Sequence, residues 1–236
     1  MRIIMCNKNN KILISAVALL IGYVASCVVL PSPSPPPPSS PPQTQAQAKV
    51  STAELYQQGL KLFKQAKFSQ AKEILDQVIA SDPNHKHAYY YRGRCLVELD
   101  KPGAATRDFD SCLRIDPNFA LGHVGQAVMA IQKTDYAAAL RHIEKALALN
   151  AKTADAFYFQ GIVFAYQKNV KKAIEALKRC LEIQPDHAYA HYQLGLAYNQ
   201  IGRKDLAVVH LEKFLLLAPE APEAAQIRKL LNFLRK

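Results

Sequence analysis

Four histidines are the first residues whose spacing suggests chemistry. His85 and His87 stand two positions apart, and His187 and His191 stand four apart. Either pair could touch a divalent metal, which proteins hold with imidazole, thiolate and carboxylate ligands in sets of three or four. No cysteine or carboxylate completes either set, so the four histidines read as solvated loop or helix-start residues. Thiol chemistry is no better supplied. Cys6 and Cys27 lie in the N-terminal leader, and Cys95, Cys112 and Cys180 remain, an odd number without C-x-x-C spacing. That does not describe a disulfide framework. The chain also lacks a phosphate-cradling loop, a nucleophile elbow and an H-E-x-x-H helix. The sequence therefore predicts no catalytic residue, no metal site and no cofactor.

What does recur is aromatic and small. Tyr56, Tyr90, Tyr158 and Tyr192 are separated by 34, 68 and 34 residues, with Val124 in the missing place. The same period runs through Gly59, Gly93, Gly161 and Gly195, with Ala127 in the gap. It runs again through Ala71, Ala105, Ala139, Ala173 and Ala207, and through Pro83, Pro117, Pro185 and Pro219, where Ala151 fills the gap. Within each 34-residue unit, positions 4, 8 and 11 follow the i, i+4, i+7 spacing of one helix face. Leu55, Gly59 and Leu62 are the first such set. Positions 20, 24 and 27 do the same on a second helix, as in Ala71, Leu75 and Val78, and they place Cys112 and Cys180 in the seam. Small residues at 8 and 20 let the two helices approach, and the proline at 32 stops the second helix because it has no N–H to donate.

A fixed 34-residue period with this pattern resembles the tetratricopeptide repeat (TPR) family. The resemblance covers residues 52–236 and implies an all-α, right-handed solenoid of five helix–turn–helix repeats at 52–85, 86–119, 120–153, 154–187 and 188–221. Only the third repeat departs much, lacking both the glycine and the proline. One repeat cannot bury its apolar face alone, and the last needs a polar cover. Residues 222–236 supply a capping helix, with Ile227, Leu230, Leu231 and either Phe233 or Leu234 on its apolar stripe.

In TPR proteins the first helices of the repeats line a concave groove. Carried over by position, the groove here holds Tyr56, Leu60 and Phe63 from the first repeat, and Tyr90, Tyr91 and Arg94 from the second. Val128 and Ile131 follow from the third, Tyr158, Phe159, Ile162 and Tyr166 from the fourth, and Tyr192 and Leu196 from the fifth. The family often has asparagine at the ninth position, but this chain has Leu60, Arg94, Val128, Ile162 and Leu196. The lysine, arginine and asparagine set that grips C-terminal carboxylates in some members is absent. The resemblance thus implies an apolar or aromatic groove with Arg94 as its isolated cation, and another protein's apolar or aromatic segment as partner. The competing reading gives the tyrosines to packing between repeats, or the surface to self-association.

The first 51 residues read differently. They hold no acidic residue; Arg2, Lys8 and Lys11 precede 19 uncharged residues, Ile12 to Leu30. Residues 1–26 are expected to be a signal peptide or membrane anchor. Val24-Ala25-Ser26-Cys27 resembles the lipobox of bacterial lipoproteins, which implies cleavage before Cys27 and lipid on its sulfur. Uncut, the segment is just long enough to span a hydrocarbon core. Either way the repeats would stand outside the cytoplasm, on the periplasmic side of a bacterial envelope. Residues 27–51 are expected to be a linker. Eight prolines among the twelve residues 31–42 favour polyproline II, a semi-rigid spacer of roughly 37 Å at about 3.1 Å per residue.

The whole chain has 30 basic and 19 acidic residues. Four of the basic ones lie in the leader and linker, so the repeats keep 26 against 19, a surplus of +7. That favours anionic neighbours. It does not predict nucleic-acid binding, because the basic residues form no run and accompany no RNA-binding or zinc-finger motif. The expected function is a membrane-tethered scaffold that assists assembly of an envelope complex. A chaperone-like holder of exported proteins and a homo-oligomeric spacer are the alternatives.

Overall fold

The computed structural model describes residues 50–235, and the leader, Cys27 and the proline-rich linker lie outside the described residues. Eleven α-helices and no strand occur among the described residues. The first five pairs are α1 (Thr52–Lys64) with α2 (Phe68–Ser81), α3 (Lys86–Glu98) with α4 (Pro102–Ile115), α5 (Ala120–Gln132) with α6 (Tyr136–Leu149), α7 (Ala154–Tyr166) with α8 (Val170–Ile183), and α9 (Ala188–Gln200) with α10 (Lys204–Leu217). A single helix, α11 (Ala224–Leu234), follows. None of these is long and apolar enough to cross a membrane.

Each helix starts and stops for a local reason. Ser51 and Glu54 form a reciprocal capping box at α1. The Asp135 and Asn169 side chains accept the third backbone N–H of α6 and α8. Between the helices of every pair, the chain closes a Schellman turn. Its long bond runs from Lys67 N–H to Leu62 O at 3.0 Å, and recurs from Lys101 to Leu96, Asp135 to Ala130, Asn169 to Phe164 and Arg203 to Tyr198. Such a turn needs one residue in the left-handed region. Only the fifth uses glycine, Gly202 at φ 78°; the others are Ala66, Asp100, Thr134 and Lys168, with φ between 55° and 61°.

The second helices end in the turn holding the recurrent proline. Asp82, Asp116 and Asn150 each accept the N–H two residues on at 3.0 Å with a side-chain oxygen. This local turn explains how the third repeat stops without proline: α6 still ends at Leu149, and Asn150 caps the reversal.

The core is the seam within and between pairs. Ala71, Ala105, Ala139 and Ala207 are fully buried, and so are Leu75, Phe109, Ile143 and Leu211 beside them. Each large side chain there contributes about 1.5–3 kcal/mol through removal from water. Phe109 shows why small residues matter at this seam. A Cβ on Gly93 would meet its ring at 2.7 Å, and one on Gly125, from the next repeat, at 2.3 Å. Cys95, Cys112 and Cys180 are free, buried thiols. Burial pushes Cys95 and Cys112 up to about 12, so they pack as apolar residues rather than act as thiolates. At the C-terminal end, α11 buries Ala224, Ile227, Leu231 and Leu234, while Phe233 is 65% exposed. The inward residue of the two candidates is therefore Leu234.

Candidate functional site

The first helices of the pairs, α1, α3, α5, α7 and α9, touch one another in succession along the inner side of the stack. This contact decides where the expected groove residues fall. Tyr90, Val128, Tyr158, Phe159 and Tyr192 are buried, and so is Arg94. Tyr56, Leu60, Phe63, Tyr91, Ile131, Ile162 and Leu196 are partly covered, and Tyr166 is exposed. An open apolar groove with an isolated cation is thus not what the stack presents. Successive first helices touch, and six of the fourteen residues become core.

Arg94 is the clearest correction. Its Nη1 donates to the Tyr90 hydroxyl at 3.0 Å and stands 3.4 Å from Asp155 Oδ2, both partners being buried. The Tyr90 hydroxyl in turn donates to Asp155 Oδ2 at 2.6 Å. The guanidinium also lies 4.5 Å from the Phe159 ring centre and 5.4 Å from that of Phe63, a cation–π geometry. On the other side, His187 Nε2 lies 3.2 Å from Asp155 Oδ1. His187 Nδ1 accepts the Ala190 N–H that begins α9, so the hydrogen-bond network assigns the ring proton to Nε2, which donates to the carboxylate. Burial works against the Asp155 charge, but the His187 hydrogen bond, the Arg94 charge and the Tyr90 hydrogen bond outweigh it and hold the carboxyl well below its usual range. Arg94 is a buried core cation, paired through Nη1 and packed against aromatic rings, rather than a hook for a ligand.

Seven further residues had no part in the sequence expectation. Asp155 is the one acid at the second position of any repeat, beside Ala53, His87, Leu121 and Tyr189; an acid in that column is the signal that it answers a buried cation. Phe68 and Tyr189 meet across the coil with ring centres 6.3 Å apart. Beside them, Lys64 pairs with Asp186 at 2.8 Å and Lys67 with Glu220 at 3.2 Å. The turn of the first repeat therefore rests on the α8–α9 turn and on the fifth repeat.

Between these contacts the inner face keeps an aromatic run. Tyr56 and Tyr91 have ring centres 6.4 Å apart, Tyr91 and Phe63 5.1 Å, and Phe63 and Phe68 5.8 Å. Burial and the Asp155 charge push the Tyr56 hydroxyl up to about 12, so this face offers neutral phenols. Glu98, at the end of α3, keeps contact with water. The protein around it nevertheless raises its carboxyl, a burial effect that Arg94 opposes and Glu223 reinforces.

The histidine pairs serve as structural anchors. His85 Nδ1 accepts the Ala88 N–H and His187 Nδ1 that of Ala190, each at 3.1 Å, so both cap helices. His191 Nε2 lies 3.1 Å from the Pro185 carbonyl oxygen, and its Nδ1 lies 2.9 Å from His210 Nδ1. Among the described residues, no group of three or more His, Cys, Asp or Glu side chains is placed to hold a metal ion.

Comparison with known proteins agrees with this architecture. A family model described as a tetratricopeptide repeat matches residues 56–118 and 125–187, and a second of the same description matches 167–232. Among solved structures, the chain is similar to TTC0263, a thermophilic TPR protein of Thermus thermophilus. The TM-score is 0.61 at 19% identity, over 78% of this chain and 99% of that one. It is also similar to PilW, a type IV pilus biogenesis factor. There the TM-score is 0.50 at 20% identity, over 79% of this chain and 91% of that one. At these identities the likeness is one of fold. No curated protein sequence matches the chain. A stack of helix pairs built on this repeat is a scaffold for protein–protein contact, and with both models aligned on its pairs the chain belongs to the tetratricopeptide repeat family.

Proposed function

We propose that the chain is a membrane-tethered scaffold that holds an apolar or aromatic segment of another protein on the inner face of its first helices, and so assists assembly of an envelope complex. The observation that carries this reading is the partly covered aromatic run of Tyr56, Tyr91 and Phe63. Aromatic side chains dominate the energetics of protein interfaces, and the part of this run left uncovered is apolar surface of the kind that marks interaction sites.

A photo-crosslinking residue at Tyr91 in the full chain, followed by mass spectrometry of the adduct, tests the reading. The expected product is a recurring partner joined through an apolar or aromatic segment. The variant Tyr56→Ala with Ile162→Ala should lower its yield without unfolding the stack. Adducts spread over unrelated proteins with no common segment would count against it. Alanine at Tyr90, Arg94 or Tyr158 is unsuitable as a control, because these residues are core.

The tether is proposed to be lipid on Cys27, with an uncut span of residues 12–30 as the other form of anchor, and both place the repeats outside the cytoplasm. Support comes from the acid-free leader and the Val24-Ala25-Ser26-Cys27 motif. Metabolic labelling with a fatty acid separates the two: wild type should take up label and Cys27→Ala should not. Label in neither protein, with both still in the membrane fraction, assigns the span.

A further inference from the structure

We propose that the contact between the first and fifth repeats is a releasable closure, and that the inner aromatic face receives its partner segment when the closure is open. The second half rests on the inner-face reading above; the first half stands on geometry alone.

The coil is held across its axis at two places of very different character. Near the middle, Arg94 and Asp155 join the second repeat to the fourth with side chains only 8% and 10% exposed. Separating them would leave two unpaired buried charges, which is strongly unfavourable. At the end, the first repeat is joined to the α8–α9 turn and to the fifth repeat by ion pairs that lie in water. Lys64 and Asp186 are 41% and 50% exposed, and Lys67 and Glu220 are 30% and 66% exposed. Such pairs contribute little to stability and open readily. One ring contact, Phe68 on Tyr189, accompanies them. The middle is thus locked by buried charges, whereas the end is fastened by exposed ion pairs around one buried ring, Phe68.

What lies behind the fastening gives release a consequence. Phe68 continues the run Tyr56, Tyr91, Phe63 toward the fifth repeat, where Tyr189 leads on to Phe214 with ring centres 5.7 Å apart. Swinging the first repeat away parts Phe68 from Tyr189 and Phe63 from the Arg94 guanidinium, and uncovers aromatic surface on both sides. An incoming apolar segment can restore on each side the contact that opening removes. The partner therefore competes with the first repeat for the same surface.

Charge reversal tests this in the full chain in detergent. All four charged residues are at least 30% exposed, so reversing them leaves the core intact. Spin labels carried by non-natural residues at Ser69 in the first repeat and Lys213 in the fifth, both exposed, report the distance between the two repeats by pulsed electron resonance. K64E with K67E should give a longer and broader distance distribution, and so should D186K with E220K. The four substitutions together should restore the wild-type distribution. Crosslinking yield from Tyr91 should rise in each reversed form and return in the combined one. An unchanged distance in the reversed forms, or a combined form that stays open, overturns the closure. A distance that opens with no change in yield overturns the link to the partner. If nothing crosslinks in any form, the inner-face reading fails while the distances still decide the closure.

Discussion

Arg94 and Asp155 lie 61 positions apart and meet inside the coil, with Nη1 3.4 Å from Oδ2. One comes from the second repeat and the other from the fourth, so the third is bridged from within. The pair is not isolated: Tyr90, His187, Phe63 and Phe159 complete its surroundings. Breaking one side leaves the other charge buried. Arg94→Met and Asp155→Leu should each destabilise the stack by about 3 kcal/mol, and the double variant should cost less than the sum of the two. Urea unfolding of the four proteins measures the coupling. Strict additivity would mean that the two side chains do not act as a pair.

Acid should weaken this site in a definite window. Asp155 is held below the usual carboxyl range in the folded chain. A depressed carboxyl adds stability above its unfolded value, about 4, and that stability is lost as pH falls from there toward the folded value. Wild type should therefore lose stability between about pH 5 and pH 3 more steeply than Asp155→Asn. Thermal melts of both proteins across that range check the sign. Equal slopes would show that other carboxylates carry the acid sensitivity.

The glycines separate packing from backbone freedom. Gly93→Ala and Gly125→Ala would each push a methyl into the Phe109 ring, and overpacking of this kind costs about 1–3 kcal/mol. Gly103 lies in α4 with nothing within 4 Å of an added Cβ. Gly103→Ala should stabilise by about 0.5 kcal/mol, because only helix propensity changes. Opposite signs in a chemical denaturation series are the expected result.

Thr134 is the least suited of the left-handed turn residues, since a β-branched side chain at φ 60° crowds its own backbone. Thr134→Gly should raise stability by about 1 kcal/mol, and Gly202→Ala, at φ 78° in the equivalent turn, should lower it by a similar amount. Melting temperatures of the two variants test whether the same turn is used in both repeats.

These turns also mark where the sequence is legible and where it is not. The helix pairs follow from a repeated pattern: Gly59 with Ala71, or Gly161 with Ala173, announces a close approach at a fixed offset. That information is local, and it carried the all-helical, five-pair fold. The turn between paired helices left no such trace, because Ala66, Asp100 and Lys168 are ordinary residues forced into the left-handed region by a bond five residues long. The site was harder still. The family resemblance placed Tyr90, Arg94 and Tyr158 in the groove, and the stack buries all three. Whether that groove is open depends on how tightly successive pairs rotate, a property summed over many contacts. Lys64 and Asp186, 122 residues apart, meet only because of that sum, and no spacing rule could have paired them.

The link through Arg94 bears on how the chain comes apart. An array whose repeats touch only their neighbours unfolds by fraying, with its end units melting first and each adding its own increment. Here a single guanidinium contacts residues of the first, second and fourth repeats, and the carboxylate it serves is hydrogen-bonded to the residue that caps the first helix of the fifth. Loss of an end unit is felt in the middle. The stack should therefore melt as one cooperative body rather than peel from its ends, and removing its last repeat should weaken it by more than a fifth.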